Sequence, residues 1–270
     1  MSKPARERID VLLVDRGLAP TRSKARALIL AGDVSSRGNR IDKPGQLVDR
    51  EAEVNVKAGR RWVGRGADKL APALLEFALD PGELRLLDVG ASTGGFTQLL
   101  LAHGAAEVVA LDVGHNQLDW RLRSDPRVHV LERVNARDLR PEDLPFVPDW
   151  AVIDVSFISL EKVLHPVAAC VAAGGSIVAL VKPQFEVGKG QVGRKGLVLG
   201  AELHRRVLTR IAAFAQRAGW PVAGVCPAGL PGATGNQEYF IHLVVGGAVD
   251  PAADWSQRIA AAIQAGGAVS

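Results

Sequence analysis

Residues 84–97, with the sequence LRLLDVGASTGGFT, constrain the fold more than any other part of the chain. The apolar residues from Leu84 to Val89 are typical of a short buried strand, and Gly94 and Gly95 lie where a helix would begin. A strand, a glycine turn and a helix N-terminus together form a cradle of backbone groups for a polar ligand. The spacing Asp-x-Gly-x-x-x-Gly differs from the Gly-x-Gly-x-x-Gly of dinucleotide-binding proteins. The stretch therefore predicts a ligand-binding turn at the end of a strand.

The apolar runs after this turn alternate with helical patterns. We predict strands at 107–111, 127–131, 150–153, 176–181, 221–227 and 238–245, and helices at 68–77, 201–217 and 251–266. Strands that alternate with helices at this spacing form a parallel sheet wound on both sides. The last two strands are expected to form an antiparallel hairpin. The predicted fold class is α/β, a Rossmann-like domain with a mostly parallel sheet.

Four charged residues follow predicted strands directly: Asp88, Asp112, Asp154 and Lys182. Ligands and chemistry gather at the carboxyl ends of parallel strands. Asp112 lies about twenty residues after the turn, where an acid accepts hydrogen bonds from a cofactor ribose, although a capping aspartate is the alternative. Asp154 and Lys182 follow apolar runs, so they form either a structural ion pair or a catalytic pair in which the lysine takes a proton.

Residues 163–181 contain no charged residue and are nearly long enough to span a bilayer. Pro166 and the glycines at 174 and 175 interrupt the run, so we predict a buried helix followed by a central strand. Cys170 and Cys226 are expected to be buried free thiols of a cytoplasmic protein, since two cysteines make a disulfide framework improbable. The N-terminus lacks the apolar core of a signal peptide, and the scattered histidines predict no metal site.

The positive charge is concentrated at the N-terminus. Residues 1–69 contain sixteen Lys and Arg against nine Asp and Glu, whereas the other 201 residues contain seventeen against twenty. Helical patterns over residues 6–32 place Ile9, Leu12 and Leu13 on one apolar face, and Ala27, Leu28 and Leu30 on a second. The opposite faces are basic, which favours a polyanion-binding module over a merely solvated surface. Short strands are predicted at 33–36, 46–48 and 53–56.

The pattern from Arg8 to Val34 resembles a small RNA-binding fold first named from a protein of the small ribosomal subunit. The resemblance covers about residues 6–57 and implies salt-dependent contact with RNA phosphates. Residues 60–66 are expected to be an interdomain linker in which Trp62 docks on a neighbouring surface. A Gly/Lys loop at 184–196 is either a cover for the substrate or a solvated insertion. The RNA-binding residues predicted are Arg6, Arg8, Arg22, Arg26, Lys43, Arg65 and Lys189.

The Asp-x-Gly-x-x-x-Gly pattern is also the first motif of methyltransferases that use S-adenosylmethionine. Together with segments 152–160, 180–190 and 235–239, it makes the chain similar to the hemolysin-A (TlyA) family of bacterial ribosomal RNA methyltransferases, whose catalytic domain is FtsJ/RrmJ-like. The resemblance runs from about Arg6 to Val245. It divides the chain into an RNA-binding domain at 1–59, the linker and a methyltransferase domain at 67–270. Residues 228–232, AGLPG, depart from the Ser-Pro-x-x-Gly of many members.

The resemblance carries a Lys-Asp-Lys-Glu tetrad onto Lys69, Asp154, Lys182 and Glu238. We expect Lys182, neutral at the moment of attack, to remove the proton of a ribose 2′-hydroxyl while Asp154 holds it. No metal is needed, because the methyl group of a sulfonium is already activated. The cofactor-binding residues predicted for S-adenosylmethionine are Asp88, Gly90, Ala91, Ser92, Gly94, Phe96, Asp112, Asn135, Ala136 and Asp154.

The resemblance further implies 2′-O-methylation of cytidine in 16S and 23S ribosomal RNA by a monomer, with an effect on capreomycin and viomycin sensitivity. Two alternatives stay open: an enzyme that modifies only the large subunit, and a non-catalytic RNA-binding factor in ribosome assembly. A nicotinamide-dependent oxidoreductase is disfavoured because its glycine pattern is absent. A membrane-lytic protein is disfavoured because no amphipathic or spanning segment supports it.

Overall fold

The computed structural model describes residues 5–57, 62–188, 190–250 and 255–267. The chain divides into two compact units, Met1–Arg61 and Trp62–Ser270. Each unit is described by itself below.

The first unit is a small α+β domain. Its elements in chain order are β1 (Arg6–Arg8), α1 (Ile9–Asp15), α2 (Arg22–Ala31), β2 (Val34–Ser36), β3 (Asn39–Arg40), β4 (Leu47–Asp49) and β5 (Val54–Val56). β1 pairs with β4, and β2 lies between β3 and β5, all antiparallel. Ile9, Leu13 and Ile29 are fully buried in its core.

Two features of the helix pair differ from the prediction. Arg6 and Arg8 lie on β1 rather than on a helix, because the pairing of this segment with β4 keeps it extended. In α2 the buried residues are Ala25 and Ile29, whereas Leu30 is 65% exposed, so the predicted apolar face was wrong. Both ends of α2 have capping residues. The Thr21 hydroxyl accepts from the Lys24 amide, and Gly32 ends the helix in the left-handed conformation.

The second unit contains the larger sheet. Its helices are α3 (Gly66–Glu76), α4 (Gly95–Ala102), α5 (Trp120–Arg123), α6 (Glu161–Cys170), α7 (Pro183–Glu186), α8 (Ala201–Arg217) and α9 (Ser256–Ala265). Its strands are β6 (Arg85–Val89), β7 (Glu107–Asp112), β8 (Val128–Glu132), β9 (Trp150–Ile153), β10 (Ser176–Val181), β11 (Val222–Pro227) and β12 (Tyr239–Val244). The predicted helix at 251–266 begins at Ser256 in the structure, and residues 251–254 lie outside the described residues.

The sheet has the order β8-β7-β6-β9-β10-β12-β11. The strands from β8 to β10 are parallel, and β12 runs antiparallel to both of its neighbours. The predicted doubly wound α/β fold and its terminal hairpin are thereby confirmed. Every residue of β10 is buried, because a central parallel strand is covered on both faces. The carboxyl ends of β6, β7, β9 and β10 therefore meet at one edge of the sheet.

The apolar run at 163–181 divides as predicted, into most of α6 and the strand β10. No helix among the described residues is long and apolar enough to cross a bilayer. Cys170 and Cys226 are buried free thiols, and burial raises their pKa values to about 11 and about 12.

Candidate active site

The glycine turn after β6 places two strand ends in contact. Gly90 has a φ of +86°, and a Cβ there would lie 2.4 Å from the carbonyl oxygen of Asp154. Only glycine adopts this conformation without strain and allows this approach. The amides of Gly90 and Ala91 both donate to the carbonyl oxygen of Leu111, at the end of β7. The turn is therefore fixed between β7 on one side and the loop after β9 on the other.

Asp88 fastens α4 to β6. It is fully buried, and its Oδ2 accepts from the Thr97 amide at 2.9 Å and from the Thr97 hydroxyl at 2.6 Å. Desolvation raises its pKa to about 7. Asp88 and Gly94 do not line the cavity beside the turn, since a Cβ at Gly94 would meet the side chains of Leu118 and Leu122. Both residues shape the turn, and their contact with a cofactor stays a prediction.

A cavity of about 740 Å³ opens at the carboxyl edge of the sheet. This volume is typical of small-molecule sites. Val89, Leu111 and Val163 contribute apolar walls, and Asp112 and Asn135 contribute polar groups. The predicted cofactor residues that line it are Gly90, Ser92, Asp112, Asn135, Ala136 and Asp154. A smaller cavity of about 220 Å³ also borders Gly90, Ser92 and Asp154, and its lining adds Ala91, Phe96 and Lys69.

Asp112 has the capping role that its sequence position allowed, and it also borders the larger cavity. Its Oδ2 accepts from the Ser92 amide at 2.8 Å, and its Oδ1 accepts from the Gly114 amide at 2.7 Å. The carboxylate thus caps two backbone turns. Each oxygen keeps a lone pair for a further donor, and the residue lines the larger cavity. A ribose with two hydroxyl donors matches this acceptor.

The four tetrad residues form two ion pairs. Lys182 Nζ lies 2.5 Å from Asp154 Oδ1, and Lys69 Nζ lies 2.7 Å from Glu238 Oε2. Lys69, Lys182 and Glu238 are each at most 8% exposed. The residues come from α3, from the loop after β9, from the end of β10 and from the start of β12. Buried charges need partners, and the two pairs together carry no net charge. Asp154 links this cluster to both cavities.

The turn before β12 packs directly on Glu238. A Cβ on Gly232 would lie 2.4 Å from Glu238 Oε1, so this glycine allows the close approach. Gln184 Nε2 donates to the same oxygen at 3.1 Å. Segment 228–232 departs from the pattern of many family members, but it keeps Gly232, which Glu238 requires for this close contact.

Buried acceptors without hydrogen bonds gather around the site. Among the described residues, five buried side-chain polar atoms lack a hydrogen-bond partner, and three of them are Asp88 Oδ1, Asp154 Oδ1 and Gln184 Oε1. Asp154 Oδ1 is close to Lys182 Nζ, but the contact lacks the direction of a hydrogen bond. Orphaned polar atoms in a folded protein call for a functional or ligand-based explanation. Of these three residues, Asp154 borders both cavities.

Sequence reasoning missed several groups at the mouth of the site. Ser156 Oγ accepts from Lys182 Nζ at 2.9 Å. Phe157 is 90% exposed with a φ of +63°, and its ring lies 4.9 Å from the ring of Phe185. A bulky residue in the left-handed region is an outlier that indicates function. The signal for these residues was present in the matched segment 152–160, whose polar and aromatic members carried no assigned role.

The predicted RNA-binding residues differ in their surroundings. Arg8 and Arg22 both bind Asp10, which is fully buried, with nitrogen–oxygen distances of 3.0 Å. Arg6, Arg26 and Lys43 have exposed side chains. Arg65 donates to the carbonyl oxygen of Pro231 at 2.6 Å. Lys189 lies outside the described residues.

Two family models match the sequence. The FtsJ-like methyltransferase model matches residues 62–244, and the S4 domain model matches residues 7–54. A relative from Mycobacterium tuberculosis, the 16S/23S rRNA (cytidine-2′-O)-methyltransferase TlyA, is 50% identical over 240 residues, which are 88% of this chain and 90% of the relative. A 23S rRNA (cytidine-2′-O)-methyltransferase TlyA from Campylobacter jejuni is 34% identical over 68% of this chain and 71% of its own length. A solved structure from Streptococcus thermophilus, named as a hemolysin, is 41% identical with a TM-score of 0.73, and the match covers 97% of both chains.

The parallel sheet, the glycine turn and the adjoining cavity define an S-adenosylmethionine-dependent type of methyltransferase fold. The S4 domain is a small RNA-binding module that precedes it. On these matches the chain belongs to the FtsJ-like methyltransferase family, in the group that contains the TlyA proteins.

Proposed function

We propose that this enzyme transfers the methyl group of S-adenosylmethionine to the 2′-hydroxyl of a cytidine ribose in ribosomal RNA. One observation carries the proposal: two lysine–carboxylate pairs lie together, and Asp154 and Lys69 of these pairs border the cavities beside the glycine turn. The relatives from Mycobacterium tuberculosis and Campylobacter jejuni are named for this reaction. Residues 1–59 would bind RNA, residues 60–66 would link the domains, and residues 67–270 would carry the chemistry.

The residues around the larger cavity fit the cofactor. Gly90 lines the cavity with its backbone, and it has no side chain that would keep a ligand away from the turn. Asp112 offers two carboxylate oxygens to ribose hydroxyls, and Asn135 and Ala136 line the same cavity beside apolar walls that suit an adenine ring. Asp154 Oδ1, a buried acceptor without a hydrogen bond, fits a site that a ligand completes. When bound, S-adenosylmethionine supplies an activated methyl group.

Lys182 is the base in this mechanism. A 2′-hydroxyl is a weak nucleophile, so its proton must leave as the oxygen attacks. Neutral Lys182 takes that proton on Nζ while the new oxygen–carbon bond forms and the carbon–sulfur bond breaks. Asp154, 2.5 Å away, stabilises the ammonium group that results. Lys69 and Glu238 position the ribose, and in-line positioning supplies the rest of the rate.

The pair formed by the exposed Phe157 and the half-buried Phe185 suits a target nucleotide drawn out of its stack. Both line the larger cavity, Phe157 on the loop that carries Asp154 and Phe185 on α7, which follows Lys182 directly. Enzymes that modify one nucleotide extrude it and stack its base on aromatic or apolar side chains. The described basic side chains Arg6, Arg26 and Lys43 would contact phosphates of the surrounding RNA.

We propose the dual-subunit activity on 16S and 23S ribosomal RNA, with the matching effect on capreomycin and viomycin sensitivity. The support is the 50% identity to a relative named for both RNAs, against 34% to a relative named for 23S RNA alone. The match to the S4 domain over residues 7–54 adds an RNA-binding module that such a target requires.

The test uses small and large ribosomal subunits purified separately from cells that lack the enzyme. Each is incubated with the full chain and labelled S-adenosylmethionine, and the nucleosides are resolved by mass spectrometry. We expect 2′-O-methylcytidine in both subunits. Label in the large subunit alone would overturn the dual activity. Label on a base, or in neither subunit, would overturn the proposed reaction.

A further inference from the structure

Asp154 and Ser156 both contact Lys182 Nζ, and the two contacts differ in kind. Asp154 Oδ1 lies 2.5 Å away and supplies charge, but the contact lacks hydrogen-bond direction. Ser156 Oγ lies 2.9 Å away and accepts a well-formed hydrogen bond. The ring of Phe185, with its centroid 5.9 Å from Nζ, adds only a weak cation–π contact. Among the described contacts of the amine, Ser156 therefore provides the directional one.

Direction matters because a neutral amine removes a proton through one lone pair. The nitrogen is tetrahedral, so a hydrogen bond donated to a fixed acceptor restricts the rotation of the amine and hence the direction of its lone pair. A lone pair aimed away from the 2′-hydroxyl contributes nothing to the transfer. We propose that Ser156 is a positioning residue that aims the Lys182 lone pair at the substrate hydroxyl. This inference rests on the proposed role of Lys182.

The loop that carries Ser156 is held firmly enough to aim a neighbour. At its far end, the buried Glu186 carboxylate accepts from the Leu160 amide at 2.7 Å and from the Ser159 hydroxyl at 2.8 Å. Arg210 donates to the same carboxylate at 2.6 Å and to the Glu186 carbonyl oxygen at 2.9 Å. At its near end, the Asp154 amide donates to Val89 at 2.9 Å. Glu186 follows Lys182 by one short helix, so base and loop are joined at two points.

The test compares three serine variants of the full chain in single-turnover methyl transfer. Ser156→Ala is expected to lower the rate constant by about 10²-fold, the cost of a misplaced reacting group, with an unchanged affinity for S-adenosylmethionine. Ser156→Thr keeps a hydroxyl and should restore the rate to within about tenfold of wild type. Ser124→Ala is the control. It removes an exposed hydroxyl that donates to the Trp120 carbonyl oxygen, away from Lys182 and its loop, so its rate should stay close to that of wild type.

Measurements across pH separate aiming from protonation. If Ser156 only adjusted the charge of Lys182, high pH would restore the rate of Ser156→Ala. A misdirected lone pair predicts a deficit that persists on the high-pH plateau. A rate for Ser156→Ala equal to wild type, or equal to that of Ser124→Ala, would overturn the inference. An active Lys182→Ala enzyme would instead overturn the proposed function itself, so the two failures are distinguishable.

Discussion

Two aspartates, one in each unit, are fully buried and have opposite acidities. Asp10 in the first unit binds the guanidinium groups of Arg8 and Arg22, which hold its pKa down to about 2. Among the described residues Asp88 in the second unit accepts hydrogen bonds from Thr97 alone, and burial raises its pKa to about 7. Neither side chain is accessible to solvent, but the arginine hydrogen bonds dominate at Asp10 and desolvation dominates at Asp88, so the charge follows from the partners and the surroundings together. One carboxylate is fixed as an anion for structure, and the other is close to neutrality beside the active-site turn.

The cations paired with carboxylates differ in the same way. In the first unit, Arg8 and Arg22 are about half exposed and serve a buried carboxylate. In the second unit, Lys69 and Lys182 are themselves buried, and they contact a cavity and the loop after β9 respectively. Removing a cation should therefore cost stability in the first unit and activity in the second.

The largest effect is expected from Lys182→Ala. Loss of the base should lower methyl transfer by more than about 10³-fold while S-adenosylmethionine still binds. Transfer is measured with labelled cofactor on ribosomal subunits, and binding is measured by calorimetry. Arg217→Ala, which changes an exposed residue of α8, serves as the control and should keep full activity. Substantial turnover by Lys182→Ala would show that activity in the second unit does not depend on this buried lysine.

The next effect is expected from the double substitution of Arg8 and Arg22 by alanine. Asp10 would lose both cations, which should destabilise the first unit by about 3 kcal/mol. Hydrogen exchange of the full chain measures this locally: amides of α1 and α2 should lose protection by about 10²-fold, while those of β6 to β10 keep theirs. Arg26→Ala is the matched control on α2, because its side chain is exposed and no described contact ties it to Asp10. Unchanged protection in the double variant would show that Asp10 does not depend on its arginines.

The most gradual effect concerns the pH dependence of Asp88. Because its folded-state pKa of about 7 lies above its usual 3.8, the folded protein holds a proton that the unfolded chain has released between these values. Its contribution to stability is complete below about pH 3.8 and is lost as the pH rises through about 7, with a slope of up to about 1.4 kcal/mol per pH unit. Asp88→Asn cannot titrate.

Urea unfolding gives the free energy of unfolding of wild type and of Asp88→Asn at several pH values. The difference between the two proteins isolates the contribution of Asp88, because the other titrating groups are the same in both. The variant should gain stability relative to wild type as the pH rises towards 7. A pH-independent difference would mean that Asp88 is an anion throughout, like Asp10, and would remove the contrast between them.

Much of the second unit could be predicted from sequence because its signals are local. The strands at 150–153 and 176–181 and the helix at 201–217 match the structure at both ends. A buried parallel strand is a continuous apolar run that turn residues delimit. The apolar face of α2 was not predictable in this way. Its contacts come from Ala25 and Ile29, and Arg22 at its start turns back to Asp10.

The candidate site was predictable as a set of residues but not as an arrangement. The tetrad came from resemblance, whereas the division into two pairs depends on contacts between distant parts of the chain. Lys69 and Glu238, for example, are 169 residues apart. The hydrogen bond from Lys182 to Ser156 and the exposed ring of Phe157 depend on the path of one loop after β9. Periodicity contains no information about such a path.

The candidate catalytic residues lie at the carboxyl ends of the strands in the second unit, so turns at the opposite ends of these strands can be altered without touching them. Gly104, Gly174 and Gly219 are exposed, have positive φ, and follow α4, α6 and α8 at those opposite ends. Tight surface turns of this kind tolerate insertions. A fluorophore or an affinity tether attached at these turns would be separated from the candidate site by the length of the strands. The second unit could thus be immobilised or labelled without a change at Lys69, Asp154 or Lys182.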